Sequence, residues 1–154
     1  MRFHQVRDIV TWAADFHAQL AQQYTTQAKS CDDERVRMAL TYLAQHERNM
    51  QAGLARYLAP DNQHRNVLDT WYSSLTELPQ PETLSNLCGC ISCTTVDSLL
   101  SKALEIHQTL EDMYRHRSRD SAIDAEKAFF ASLADGHEAE MRRMVRDMAR
   151  LESY

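Results

Sequence analysis

Residues 17–24 read HAQLAQQY, and 90 residues further along the chain residues 107–114 read HQTLEDMY. Both stretches hold a histidine, a leucine three positions later and a tyrosine four positions after that. The same shift aligns residues 43–50, LAQHERNM, with residues 133–140, LADGHEAE. An internal repeat that keeps apolar residues at helical spacing predicts two similar helical hairpins.

Four long helices are predicted, because the apolar residues recur with helical period and the chain has only three Gly and three Pro. Their predicted ranges are 5–29, 33–58, 95–117 and 122–152. Ser121 and Asp124 stand in capping-box spacing before the last of them. Residues 60–94 are expected to form a long crossover with a short helix near 66–75. This order predicts an all-α, ferritin-like four-helix bundle of two antiparallel hairpins, forming a single domain over residues 1–154.

The composition sets limits on the class of protein. The hydrophobic fraction of 44% is that of a globular protein, and the net charge of −5 argues against nucleic acid as a partner. No signal peptide and no apolar run of the ~18 residues that a membrane helix needs is visible, so we expect no membrane association and a cytoplasmic location. The four cysteines are then expected to be reduced or metal-bound. Base rates of symmetric assembly favour a homodimer.

Five ionisable side chains interrupt the apolar stripes of the four helices. They are His17, Glu47, His107, His137 and Glu140. Because an unpaired buried polar group costs on the order of several kcal/mol, we expect these groups to meet. Imidazole nitrogens and carboxylate oxygens that converge from four helices predict a first-row transition-metal site. A metal-free hydrogen-bond network is the alternative, and the neighbouring His46 and Glu138 are expected to face solvent or a helix edge.

The pattern resembles the rubrerythrin-like branch of the ferritin-like superfamily. In that family the first helix of each hairpin carries a Glu followed seven residues later by Tyr, and the second carries Glu-x-x-His after a Leu-Ala run. His17 with Tyr24 and His107 with Tyr114 occupy the first-helix positions here. Leu-Ala runs also precede the ligand positions of the second and fourth helices.

The ligand set departs from that family. Histidines 17 and 107 replace the lone glutamates, the first Glu-x-x-His has become Glu47-x-x-Met50, and the second is reversed to His137-x-x-Glu140. Two carboxylates instead of four favour a single metal or a nitrogen-rich pair over a standard di-iron centre. The resemblance implies iron, with zinc or manganese as alternatives, and it places Tyr24, Tyr114 and Met50 around the ligands.

Two functions from different classes follow from this pattern. The first is a metal-binding ferritin-like protein, with redox chemistry on oxygen, peroxide or a small organic substrate implied by the resemblance. The second is a non-catalytic helical bundle whose site has decayed and which acts through partner binding or oligomerisation.

Three cysteines of the crossover form a second chemically interesting stretch. Cys88, Cys90 and Cys93 could contribute to a zinc or iron–sulfur site, but such a centre needs a fourth ligand, for which Cys31 or His64 would have to be brought in by folding. A redox pair of Cys90 and Cys93 is another alternative. We interpret the three as reduced thiols packed in the crossover. The chain has no second Cys-x-x-Cys, which excludes a rubredoxin-type iron centre.

Overall fold

The computed structural model describes residues 4–71 and 95–153, which form helices joined by short turns. The helices are α1 (Val6–Lys29), α2 (Glu34–Tyr57), α3 (Arg65–Leu68), α4 (Val96–Asp120) and α5 (Asp124–Glu152). The four long helices predicted from the sequence are confirmed, and their first residues agree with the predicted ranges to within two positions. Two compact units divide the chain, Met1–Glu77 and Leu78–Tyr154, and each contains one long hairpin. The single domain expected from the length stays a prediction.

The internal repeat is visible in where the helices begin. Val6 and Val96 open α1 and α4, and Glu34 and Asp124 open α2 and α5, so a shift of 90 residues carries each helix start onto its counterpart. The pattern of buried and exposed residues over 31–40 is also identical to that over 121–130. The two hairpins therefore share one local design.

Side-chain caps explain three of the four helix starts. The Asp33 carboxylate accepts the backbone N–H of Val36 at 3.1 Å, and the Asp8 carboxylate accepts the backbone N–H of Gln5 at 2.9 Å. In α4 the Thr95 hydroxyl accepts the N–H of Ser98 at 3.1 Å, and the Ser98 hydroxyl accepts the N–H of Thr95 at 3.2 Å. These bonds satisfy N–H groups that have no partner inside the helix.

The capping box predicted for Ser121 and Asp124 is wrong. Asp124 is the first residue of α5, and Ile123 is the N-cap. The Ser121 hydroxyl instead accepts the N–H of Ile123 at 3.2 Å and donates to the carboxylate of Glu126 at 2.8 Å. The helix starts too late for Ser121 to cap it, because the chain needs these residues to turn back from α4.

The first hairpin pairs α1 with α2 through the four-residue turn 30–33, so the two helices are antiparallel. Its apolar core includes Ile9, Leu20, Leu40 and Leu43, all essentially inaccessible to solvent. The short helix α3 overlaps the start of the helix predicted near 66–75. After α3 the chain returns to the start of α1.

Two contacts show that return. The backbone N–H of Val6 donates to the carbonyl of Thr70 at 3.1 Å, and Arg7 pairs with Asp69 at 2.8 Å. The remainder of the predicted crossover, residues 72–94, lies outside the described residues.

The second hairpin pairs α4 with α5 in the same antiparallel way. Tyr114 stacks on Phe130 with ring centroids 6.4 Å apart, and the Ser118 hydroxyl donates to the carbonyl of Lys127 at 2.8 Å. Within the described ranges, no helix combines the length and the apolar character that crossing a membrane requires.

Candidate metal centre

The first hairpin brings a predicted pair of ligands into contact. His17 of α1 and Glu47 of α2 are both fully buried, and Nδ1 of His17 lies 2.5 Å from Oε2 of Glu47. An ionised carboxylate can only accept, so in that state of Glu47 the Nδ1–H of the imidazole is the donor. The pair is a short hydrogen bond in a buried, solvent-inaccessible position.

The second hairpin brings together the repeat-equivalent pair. His107 of α4 and His137 of α5 are buried, and Nδ1 of His107 lies 2.9 Å from Nε2 of His137. Their ring centroids are 4.9 Å apart. If the two nitrogens share a proton, one imidazole donates and the other accepts, because a neutral imidazole has one donor nitrogen and one acceptor nitrogen.

The two contacts are related by the repeat. In each hairpin the partners are 30 residues apart, and the shift of 90 carries His17 onto His107 and Glu47 onto His137. Four of the five predicted ligands are therefore buried and in contact within their own hairpin.

The fifth predicted ligand, Glu140, lies in a different environment. Its side chain is 30% exposed, and its carboxylate pairs with Arg143 at 3.0 Å. The buried stripe of α5 runs from His137 to Met141 and Met144, so Met141 occupies the inward position at this level. Met50, the residue at the equivalent place in α2, is also only half-buried.

The two predicted tyrosines are in the core, and Tyr114 lies beside a histidine. Tyr24 and Tyr114 are buried, and the Tyr114 ring meets the His137 ring edge-on at a centroid distance of 5.9 Å. Burial raises the pKa of the Tyr114 phenol far above its ordinary value, because the phenolate would lose its hydration. Tyr114 is therefore a neutral neighbour of the His107–His137 pair.

The predicted cysteine cluster cannot be placed. Cys88, Cys90 and Cys93 all lie outside the described residues. The described cysteine, Cys31, is a half-buried free thiol in the turn between α1 and α2, and its Sγ lies 3.5 Å from the carbonyl oxygen of Asp33.

Sequence reasoning missed several buried polar groups. Of the two alternatives expected for His46, solvent and a helix edge, the first is wrong, since only 5% of its surface is exposed and its ring stacks on Tyr42 at 6.1 Å. Glu138 is half-exposed, as expected. Arg117 and Glu126 are buried 3.8 Å apart in the second hairpin. No periodicity distinguishes them, because they lie near helix ends where polar residues are common.

A metal ion requires several donor atoms that converge on one point. In residues 4–71 and 95–153, no group of three or more His, Cys, Asp or Glu side chains is arranged to hold an ion. Two donors each about 2.1 Å from one ion are about 3.0 Å apart when they bind at a right angle. The 2.9 Å between the His107 and His137 nitrogens is compatible with that spacing and is also an ordinary hydrogen-bond distance, whereas the 2.5 Å between His17 and Glu47 is shorter than that spacing. The donor set fits a nitrogen-rich site better than a carboxylate-bridged pair of irons.

One solved structure is similar over almost the whole chain. It is described as a ferritin-like diiron-carboxylate protein from Thermotoga maritima, and it shares 14% sequence identity with this chain at a TM-score of 0.55. The match covers 97% of this chain and 98% of that one. The fold is ferritin-like.

At this level of identity the likeness extends to the fold alone. No protein-family model and no curated protein matches the sequence.

Proposed function

We propose that the protein binds a first-row transition metal ion through buried imidazoles, with His107 and His137 as ligands. The observation that carries this proposal is the 2.9 Å approach of two ring nitrogens inside the apolar core of the second hairpin. Imidazole is the ligand type that iron, zinc and copper share. The ferritin-like fold supports the proposal, because its structural neighbour is described as a diiron-carboxylate protein.

In the first hairpin, His17 is the corresponding ligand and Glu47 its positioning partner. The Glu47 carboxylate accepts the proton of Nδ1, which fixes the tautomer and leaves the lone pair on Nε2. A carboxylate in this role raises the basicity of the imidazole that it holds. Glu47 was predicted as a ligand, and its 2.5 Å contact with His17 favours the supporting role instead.

We further propose that the metal is iron and that the protein is a rubrerythrin-like member of this fold, on the ligand positions of its four helices. A bound iron would supply one-electron redox chemistry, which makes oxygen or peroxide the candidate substrates. The chain's own contribution is a buried site whose walls, including Tyr114 and Phe130, exclude water. A homodimer belongs to the same proposal.

The test is metal analysis of protein purified without chelator, followed by calorimetric titration with Fe(II), Mn(II) and Zn(II). We expect saturable uptake by the unmodified chain and its loss in His137→Ala. The matched control is Glu138→Ala, since Glu138 is the next residue of α5 and is half-exposed. Trace metal only, without uptake on titration, would contradict the proposal, as would wild-type uptake by His137→Ala.

A metal-free bundle is the second candidate function. The direct bond between His17 and Glu47 favours it, because that bond satisfies two buried polar groups without an ion. In that case the protein acts through partner binding or oligomerisation, and divalent metals leave its stability unchanged.

A further inference from the structure

A groove between α1 and α2 carries an unusual concentration of positive charge. It encloses about 300 Å³ near the α1–α2 turn. Its walls present the cations Lys29, Arg37 and Arg48 and the hydroxyls of Thr25 and Thr41, over a floor of two alanines, one from each helix. We call this site the basic groove; no carboxylate lines it.

The three cations have no carboxylate partner within the part of the chain that the structure describes. Arg48 donates instead to the Thr25 hydroxyl at 2.8 Å, and that hydroxyl in turn donates to the carbonyl of Ala21. Lys29 ends α1, where the helix dipole favours a cation. Arg37 lies in the first turn of α2, where the helix dipole favours an anion and not a cation.

The second hairpin provides an internal comparison. Its residues at the positions of Thr25 and Arg48 are Arg115 and Glu138, which form an ion pair at 3.0 Å. Arg115 also contacts Glu111 at 2.8 Å and Asp135 at 3.3 Å. At these positions the second hairpin neutralises its arginine with carboxylates, whereas no carboxylate lines the basic groove of the first hairpin.

We propose that the basic groove binds a small phosphate-bearing molecule. Arginine guanidinium groups match the oxygens of a phosphate in bidentate fashion, and threonine hydroxyls supply further donors. The volume suits a small molecule. The net charge of −5 opposes a polyanion such as a nucleic acid. The alanine floor offers apolar contact to the organic part of the ligand.

In the experiment, inorganic phosphate or phenyl phosphate is titrated into chelator-treated protein at constant ionic strength, and binding is measured by calorimetry. Removing metal first separates this site from the proposed metal centre, because phosphate itself binds metal ions. We expect saturable binding, tighter for phenyl phosphate. Arg37→Ala and Arg48→Ala should each weaken it at least about tenfold, as the loss of one charge-assisted hydrogen bond requires.

The matched control is Arg35→Ala. This variant removes one positive charge from the turn of α2 that also carries Arg37. Arg35 itself does not line the groove. Wild-type affinity in this variant supports a specific site. An equal loss in Arg35→Ala and Arg48→Ala would instead show general electrostatic attraction, and that result, or the absence of saturable binding, would overturn the proposal.

Discussion

At the scale of single residues, Tyr114 shows how the core tolerates a polar atom. Its ring lies between Phe130 and His137, and within the described ranges its hydroxyl has no hydrogen-bond partner. Burial raises the pKa of this phenol because the charged form would be desolvated. The native state therefore requires Tyr114 to stay protonated.

We expect this requirement to appear in alkaline unfolding. The unfolded phenol ionises near pH 10, whereas the folded one keeps its proton, so the unfolding free energy falls as the pH rises above about 10. Tyr114→Phe should flatten that fall at pH values above about 10, measured by urea denaturation at a series of pH values. Tyr57→Phe, at the half-exposed end of α2, is the control and should keep the wild-type slope. An unchanged slope in Tyr114→Phe would contradict the assignment.

At the scale of the helix, the N-cap of α2 gives a direct test. Asp33 accepts the N–H of Val36, so Asp33→Ala should lower the unfolding free energy by about 1 kcal/mol. Asp32→Ala changes the same charge one residue earlier, where the exposed side chain lies outside the cap, and should have little effect. Chemical denaturation of both variants measures the difference. Equal losses would show that charge near the helix terminus, rather than the cap, is responsible.

The buried pair of Arg117 and Glu126 tests how α4 and α5 depend on each other. Their repeat counterparts in the first hairpin are Gln27 and Val36. Arg117→Gln or Glu126→Val alone should destabilise the protein by on the order of 3 kcal/mol, because each change leaves the other member of the pair buried without its ionic partner. The double variant should recover most of that loss, as measured by a double-mutant cycle. Additive losses would mean that the two side chains act independently.

At the scale of the whole molecule, metal binding and the metal-free alternative differ in thermodynamics. A ligand that binds only the folded state stabilises it by ~2.7 kcal/mol at a hundredfold excess over its dissociation constant. We therefore expect Fe(II) or Zn(II) to raise the unfolding temperature of the unmodified chain and not that of His137→Ala. Identical shifts in the two proteins would place the metal elsewhere, and no shift in either would favour the metal-free bundle.

Much of this architecture was determined by the sequence alone. The helical periodicity is a local feature, and together with the repeat of His17 and Tyr24 at His107 and Tyr114 it predicted the helices and the antiparallel hairpins. Because the turn within each hairpin has only a few residues, the second helix folds back antiparallel to the first and packs against it. These helices and hairpins followed from interactions within short stretches of the chain.

Only the tertiary structure decided which polar groups meet. Periodicity placed Glu140 on the inner face, but the buried stripe passes through Met141, and a long glutamate beside it reaches solvent. His46 is buried as well, which the apolar periodicity of α2 did not predict. The contact of His107 with His137 likewise depends on side-chain rotamers and on how closely two helices approach. The pattern of residue types along a helix predicts which face each residue lies on. The distances between side chains of different helices are set only when those faces pack together.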